Sequence, residues 1–195
     1  LAEDIGAGDC TAGLVPQGAR LDTRVICRDT AVLAGQPWFN ETFSQVDPSV
    51  CVDWSLNDGG RMEPGQEICR LRGPARSILT GERTGLNFLQ TLSATATRTR
   101  RYVDAVAGTG AVILDTRKTL PGLRRAQKYA VLCGGGANHR IGLFDAILVK
   151  ENHISAAGSI ATAVRAAQAN YPDLLLEVEV ENLQARVGAL RVAQT

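Results

Sequence analysis

Three apolar segments lead into groups that can hold an anion. AVILD (111–115) runs into Thr116, Arg117 and Lys118, DAILVK (145–150) ends on Lys150, and LLLEVEV (174–180) carries Glu177 and Glu179, with Glu181 just beyond. The stretch DTRKTLPGLRRAQKYA (115–130) adds Arg124, Arg125 and Lys128, so five cations gather there in a chain whose formal net charge is only +1. His139 and Arg140 follow a run of glycines at Gly134-Gly135-Gly136. Arginine presents a planar fork to carboxylates and phosphates, whereas lysine presents a compact point charge whose pKa shifts readily. The chain uses 18 arginines and only 3 lysines, and all three lysines fall between residues 118 and 150. The chemistry on offer is capture of a polyanionic molecule. Glu179 together with phosphate oxygens would suit Mg²⁺. Two distant histidines without a cysteine pair do not make a zinc site.

Positioning such groups needs a regular framework. From about Thr80 a long helical pattern is followed by alternating segments: a strand at 111–115, a helix at 123–133, a strand at 145–150, a helix at 159–170, a strand at 174–180 and a last helix over ENLQARVGALRV. Strand starts recur at about 30 residues, the length of a βα unit with parallel strands. In such arrays the loops that follow the strands gather at one face, and the ionisable groups all lie at those carboxyl ends. Lys150 is expected in a buried strand, where it would need an anion or a paired acid. The three glutamates alternate along their strand onto one face, pointing towards a polar site. Neither glycine cluster (108–110 or 134–136) sits in the strand-to-helix turn of a nucleotide-binding loop, so both read as helix stops and tight turns.

Residues 1 to 80 have a different texture. RLDTRVICRD, AVLAG, SVCVDWSL and EICRLRG read as short strands, and Gln36 to Val46 as a helix. The expected fold class is therefore an α+β N-terminal sandwich domain over 1–80, then a linking helix and an incomplete α/β barrel of parallel βα units over 81–195. The first 80 residues carry 7 arginines against 11 acids, a net of −4, and the remainder a net of +5. On charge alone, nucleic acid, a polyanionic metabolite and solvated helices all remain open as what the basic half meets. Nucleic acid is the weaker class, because aromatic content is only 5% and the cations at Arg98, Arg100 and Arg101 are not interleaved with stacking residues beyond Tyr102. Nothing suggests a membrane partner: there is no membrane-length apolar run, and the acidic start LAEDIGAGDC is unlike a signal peptide, so cytoplasmic residence is the expectation. The five cysteines show no CxxC spacing and read as buried free thiols.

EDIGAGDCT (3–11), GERTGLNFLQTLSATAT (81–97), LDTRKTLPGLRRAQKYAVLCGGGANHRIGLFDAILVKENH (114–153) and EVEVENL (177–183) closely resemble the quinolinate phosphoribosyltransferase family. That resemblance covers almost the whole chain. It implies a phosphoribosyltransferase that joins quinolinate to phosphoribosyl pyrophosphate with Mg²⁺, giving nicotinate mononucleotide, pyrophosphate and CO₂ in NAD biosynthesis. Carried over by motif, Arg117, His139, Arg140 and Lys150 would bind the quinolinate carboxylates, beside Thr116. Lys118 and Glu179 would serve phosphoribosyl pyrophosphate and its Mg²⁺, with Lys118, Glu179 and Lys150 as the catalytic set. Arg83, in the GERT motif, would reach the site of a neighbouring subunit, since the family is dimeric.

One departure accompanies the resemblance. The family places a further acid and a glycine-rich phosphate-binding segment later in the chain than Thr195, and three strands cannot close a barrel. The expectation is thus a fragment, poorly folded or inactive by itself. Alternatives are a paralogue acting on another aromatic acid, such as a molybdenum-transport-associated homologue or nicotinate phosphoribosyltransferase, and a noncatalytic polyanion binder. Arg124, Arg125 and Lys128, on the helix after the first strand, are expected to be at most phosphate contacts.

Overall fold

A computed structural model describes residues 1–183. The chain divides into two compact units, Leu1–His139 and Arg140–Thr195.

The first unit is built around one antiparallel sheet and one long helix. Strands β1 (Arg20–Ile26), β3 (Cys51–Trp54) and β5 (Glu67–Pro74) pair in the order β1-β5-β3, while β2 (Ala31–Val32) and β4 (Arg61–Met62) form a separate short ribbon. Along β1 exposure alternates residue by residue, so Leu21 and Val25 reach the core while Arg20, Asp22 and Arg24 face out. A four-residue helix, α1 (Ala2–Ile5), opens the chain. Helix α2 (Gln36–Val46) has the bounds its apolar spacing predicts. Its first turn is satisfied from a distance: Asp58 accepts the backbone N–H groups of Gly35 (3.1 Å) and Gln36 (3.2 Å). Phe39 and Phe43 of α2 enter the core beside Leu33, Ile68, Leu71, Ile78 and Leu89, and Phe39 meets Trp54 edge-on at 5.2 Å.

Helix α3 (Ala75–Ala105) spans 31 residues, and the change of texture near residue 80 falls inside it. It approaches α2 through two glycines one turn apart. A Cβ on Gly81 would stand 2.8 Å from the Phe43 ring, and one on Gly85 3.0 Å from the Phe39 ring. Helix α4 (Arg124–Cys133) lies on α3 through Ala126 and Ala130, which share a small cluster with Leu92 and Ala96. Tyr129 of α4 donates a 2.8 Å hydrogen bond to Asp58, and burial together with that bond pushes the phenol well above its ordinary range. Asp58 therefore ties the start of α2 to α4.

The second unit contains one parallel pair, β6 (Ile147–Val149) with β7 (Leu176–Val178), joined through α5 (Glu151–Ala157) and α6 (Ile160–Asn170). A Ser159 cap accepting the Thr162 N–H at 3.1 Å starts α6. This is the parallel crossover that the 30-residue repeat predicts.

Several expectations need correction. AVILD is not a strand: Leu114 makes one isolated parallel bridge with Ala137, and Val112 and Leu114 are 67% and 51% exposed. A β-branched run forms a strand only where a neighbour supplies consecutive rungs, and here the ladder stops after two bonds. Only Cys27 and Cys69 of the five free cysteines are buried, whereas Cys10 and Cys51 are exposed and Cys133 is intermediate. Burial pushes the Cys69 thiol up to about 12, which keeps it unreactive. The predicted last helix lies, from residue 184 on, outside the described residues.

The close approach at Gly81 has a measurable consequence. Gly81→Leu drives a side chain into the Phe43 ring and is expected to lower unfolding free energy by about 1–3 kcal/mol in urea titrations. Wild-type stability in that variant would show that the helices do not meet there.

Candidate active site

In the first unit the cations sit on a loop that α4 holds in place. Arg117 and Lys118 are exposed, and so is Thr116, whose hydroxyl accepts the Lys118 N–H at 3.1 Å. Arg124 bonds Thr119 Oγ1 through its Nε (2.7 Å) and the Arg117 carbonyl through a terminal nitrogen (3.1 Å), and Gln127 Oε1 accepts the Leu120 N–H at 2.7 Å. Residues 124, 127 and 128 share one face of α4 by helical spacing. That face knits the loop from Arg117 to Leu120.

Lys128 is the largest departure from the sequence reading. It is not a phosphate contact: its side chain is 2% exposed and its ammonium pairs with Asp115, itself 5% exposed, and donates to the His139 carbonyl at 2.9 Å. Asp115 Oδ1 also accepts the His139 N–H at 2.9 Å. The Asn138 amide, turned so that its nitrogen donates, reaches Lys128 O (3.0 Å) and Asp115 Oδ2 (2.7 Å). The pattern of buried residues on α4 explains the miss. Ala126 and Ala130 pack on α3 while Lys128 points elsewhere, and a cation on a helix otherwise signals solvent. An aspartate just before the cationic pair and a lysine one helix later were the available signal.

The loop carrying His139 leaves α4 through a glycine-dependent stop. Gly135 has φ +86°, its N–H bonds Leu132 O (2.8 Å), and the Gly136 N–H bonds Val131 O (3.0 Å), the paired closure of a left-handed helix cap. Gly134 lies so close to α3 that a Cβ would stand 2.6 Å from the Ala96 carbonyl oxygen. The reading of this cluster as helix stop and tight turn matches that geometry.

Arg83 lies apart from this loop. It is exposed on α3 and, with Arg24, Arg28, Arg98 and Arg101, lines a cleft of about 1190 Å³ between β1 and α3.

In the second unit the carboxyl ends of the two parallel strands bring Lys150 and Glu179 together at 2.9 Å. The Glu179 N–H bonds Val149 O at 2.8 Å and so extends the pairing one step past β7. Lys150 is not in a buried strand, because β6 stops at Val149 and Lys150 caps α5 with its side chain 42% exposed. Its N–H donates to His153 Nδ1 at 3.0 Å, which fixes the turn. The glutamates do not share one buried strand face either. Only Glu177 lies within β7, half-buried, while Glu179 and Glu181 are exposed past its end. Arg140 donates to the Ala146 carbonyl at 3.1 Å, and the Asp145 carboxylate accepts the Ile141 and Gly142 N–H groups at 2.7 and 2.9 Å, closing the loop before β6.

The arrangement can bind anions through Arg117 and Lys118 in one unit and through Lys150 in the other. An exposed ion pair such as Lys150–Glu179 is worth at most about 1 kcal/mol. An incoming carboxylate can therefore take the ammonium at little cost. Among the described residues no group of three or more His, Cys, Asp or Glu side chains could hold a metal ion by itself. No helix among them is long and apolar enough to cross a membrane.

Gly134→Ala tests the tight seat of the His139 loop. The added methyl meets backbone that cannot yield, so destabilisation of about 1–3 kcal/mol is expected by urea unfolding. The variant's affinity for anionic ligands is expected to fall with it, read by calorimetry.

Comparison with known proteins places these features in one family. The models for the quinolinate phosphoribosyl transferase N-terminal domain and C-terminal domain match residues 9–93 and 95–194. The nicotinate-nucleotide pyrophosphorylase [carboxylating] of Mycobacterium leprae (strain TN) is 44% identical over 191 residues, 94% of this chain and 66% of that protein. Quinolinate phosphoribosyltransferase [decarboxylating] 1b of Nicotiana tabacum is 41% identical over 180 residues, 92% of this chain and 51% of that protein. The solved nicotinate-nucleotide pyrophosphorylase from Francisella tularensis superposes with a TM-score of 0.95 at 47% identity, covering 98% of this chain and 68% of that one. The chain thus spans no more than about two thirds of the length of these curated relatives. With both domain models matched in order and the fold shared at this identity, the chain belongs to the quinolinate phosphoribosyltransferase family.

Proposed function

We infer that the chain serves a decarboxylating phosphoribosyltransferase, a pentosyltransferase that converts quinolinate and phosphoribosyl pyrophosphate to nicotinate mononucleotide, pyrophosphate and CO₂ in cytoplasmic NAD biosynthesis. The observation that carries this reading is the Lys150–Glu179 pair at the carboxyl ends of two parallel strands. It is exposed enough to exchange partners and joins a cation for a carboxylate to an acid for a ribose or metal ion. The fold in this reading is a sandwich over 1–80 followed by the first units of an α/β barrel over 81–195.

Quinolinate carries two carboxylates, and Arg117, His139, Arg140 and Lys150, beside Thr116, supply the charge and hydrogen bonds to hold them. Lys118, in the first unit, and Glu179, in the second, are assigned by motif to the second substrate. As the pyridine nitrogen attacks the ribose C1, the bond to pyrophosphate breaks and positive charge develops on the ring carbon. Glu179 stabilises that end, and Lys118 the leaving oxygens. Ribosylation leaves the nitrogen cationic, so when the adjacent carboxylate departs as CO₂ its bonding electrons stay on the ring carbon beside that cation. A proton then closes the carbon. The protein's part is to hold and neutralise, since the substrate carries its own electron sink.

The donor set fits Mg²⁺ in one way only. Magnesium keeps several waters and takes one or two carboxylates with substrate phosphates, and Glu179 is an exposed carboxylate able to be one of them. When bound, the ion would neutralise phosphate charge. The place of Arg83 in a separate arginine-lined cleft supports a homodimer in which it serves the neighbouring subunit's site.

The diacid decides the reading. Calorimetry on the full-length protein is expected to show quinolinate bound at least about tenfold more tightly than nicotinate, the effect of one charge-assisted contact of 1.5–3 kcal/mol. Lys150→Ala is expected to abolish that preference with the fold intact by circular dichroism. Equal affinity for the two acids in the unaltered protein would refute the assignment.

A further inference from the structure

We propose that Asp115 and Lys128 form a positioning pair that sets the distance between the His139 loop and the Arg117–Lys118 loop, an inference that rests on the function proposed above for these loops. Neither side chain is open to solvent. Lys128 is 2% exposed and Asp115 5% exposed, and each is occupied by protein partners.

The argument begins with the backbone. Segments 113–115 and 137–139 run parallel and exchange two bonds, Ala137 N–H to Ile113 O (2.8 Å) and Asp115 N–H to Ala137 O (3.1 Å). The next rung of a parallel ladder would carry the His139 N–H to the carbonyl of residue 115. Here the Asp115 side chain takes that N–H instead, at 2.9 Å. The Lys128 ammonium takes the other half of the same residue, the His139 carbonyl, at 2.9 Å. Both peptide groups of His139 are thus held by one ion pair, and the Asn138 amide is tied to Asp115 and to the Lys128 carbonyl. Substituting a side chain for the backbone acceptor ends the strand pairing and frees the chain after Asp115 to turn. Arg117 and Lys118 follow within three residues.

A buried pair of this kind is weak grounds for stability, since an apolar or neutral replacement of both partners often folds as well. Its effect is geometric. Removing it takes away the charged groups that hold both sides of His139, and misplacement of binding groups by about an ångström can cost up to about a hundredfold.

The test uses the full-length enzyme. Lys128→Met alone leaves the Asp115 carboxylate buried without its cation and is prone not to fold, so the deciding variant is Asp115→Asn/Lys128→Met, which removes both charges and keeps an acceptor for the His139 N–H. Arg165→Ala, exposed on α6, is the control. Hydrogen–deuterium exchange over residues 134–141 is read beside the dissociation constant for pyridine-2,3-dicarboxylate, well below the variant's melting midpoint. The expected result is a folded double variant with exchange faster by about tenfold or more and affinity weaker by about tenfold or more, and a control that moves neither. A folded double variant that keeps wild-type exchange, or wild-type affinity, overturns the proposal. An unaltered enzyme that binds no dicarboxylate overturns the proposed function instead, and the exchange rate then decides the clamp by itself.

Discussion

An ammonium at 2% exposure needs an acid and further acceptors, because desolvating a charge costs several kcal/mol that a single partner does not return. Lys128 meets that demand with the Asp115 carboxylate and the His139 carbonyl, and Asp115 spends its remaining lone pairs on the His139 N–H and the Asn138 amide. The segments on either side of the pair, the cationic loop after Asp115 and the glycine-led loop before His139, take their positions from it. Helix α4 is thereby used on two faces, with alanines on α3 and polar groups on the loops.

Everything that seats α4 depends in turn on close helix packing. The small residues Gly81, Gly85, Ala96 and Gly134 let α2, α3 and α4 approach until ring and backbone atoms are in contact. Asp58 completes the arrangement by capping α2 and accepting the Tyr129 hydroxyl. A larger side chain at any of these seats has no direction in which to yield.

The two ion pairs contrast in a way that bears on chemistry. Asp115–Lys128 is sealed and fixed, whereas Lys150–Glu179 is open to solvent at 42% and 54% exposure. Charges in water exchange partners at little cost, and buried ones do not. The first pair suits a framework and the second a binding site, although both join a lysine to an acid.

Much was legible from residue order. The periodicity of 36–46 marked α2 to the residue, the spacing of apolar runs announced the parallel pair β6 and β7, and the motifs around DTRKT, GGGANHR and LVKENH carried the family. Local pattern suffices for these because amphipathic period, glycine stops and turn chemistry act over a few residues. It failed where the outcome depends on partners distant in sequence. AVILD lacks the consecutive rungs a strand requires, Lys150 sits just past its strand instead of inside it, and Lys128 is buried although its helix position looks like solvent. Residue types and spacing determined which groups could meet an anion. Tertiary structure decided which of them are spent on one another, because burial and pairing of a charge are set by what the rest of the chain brings against it.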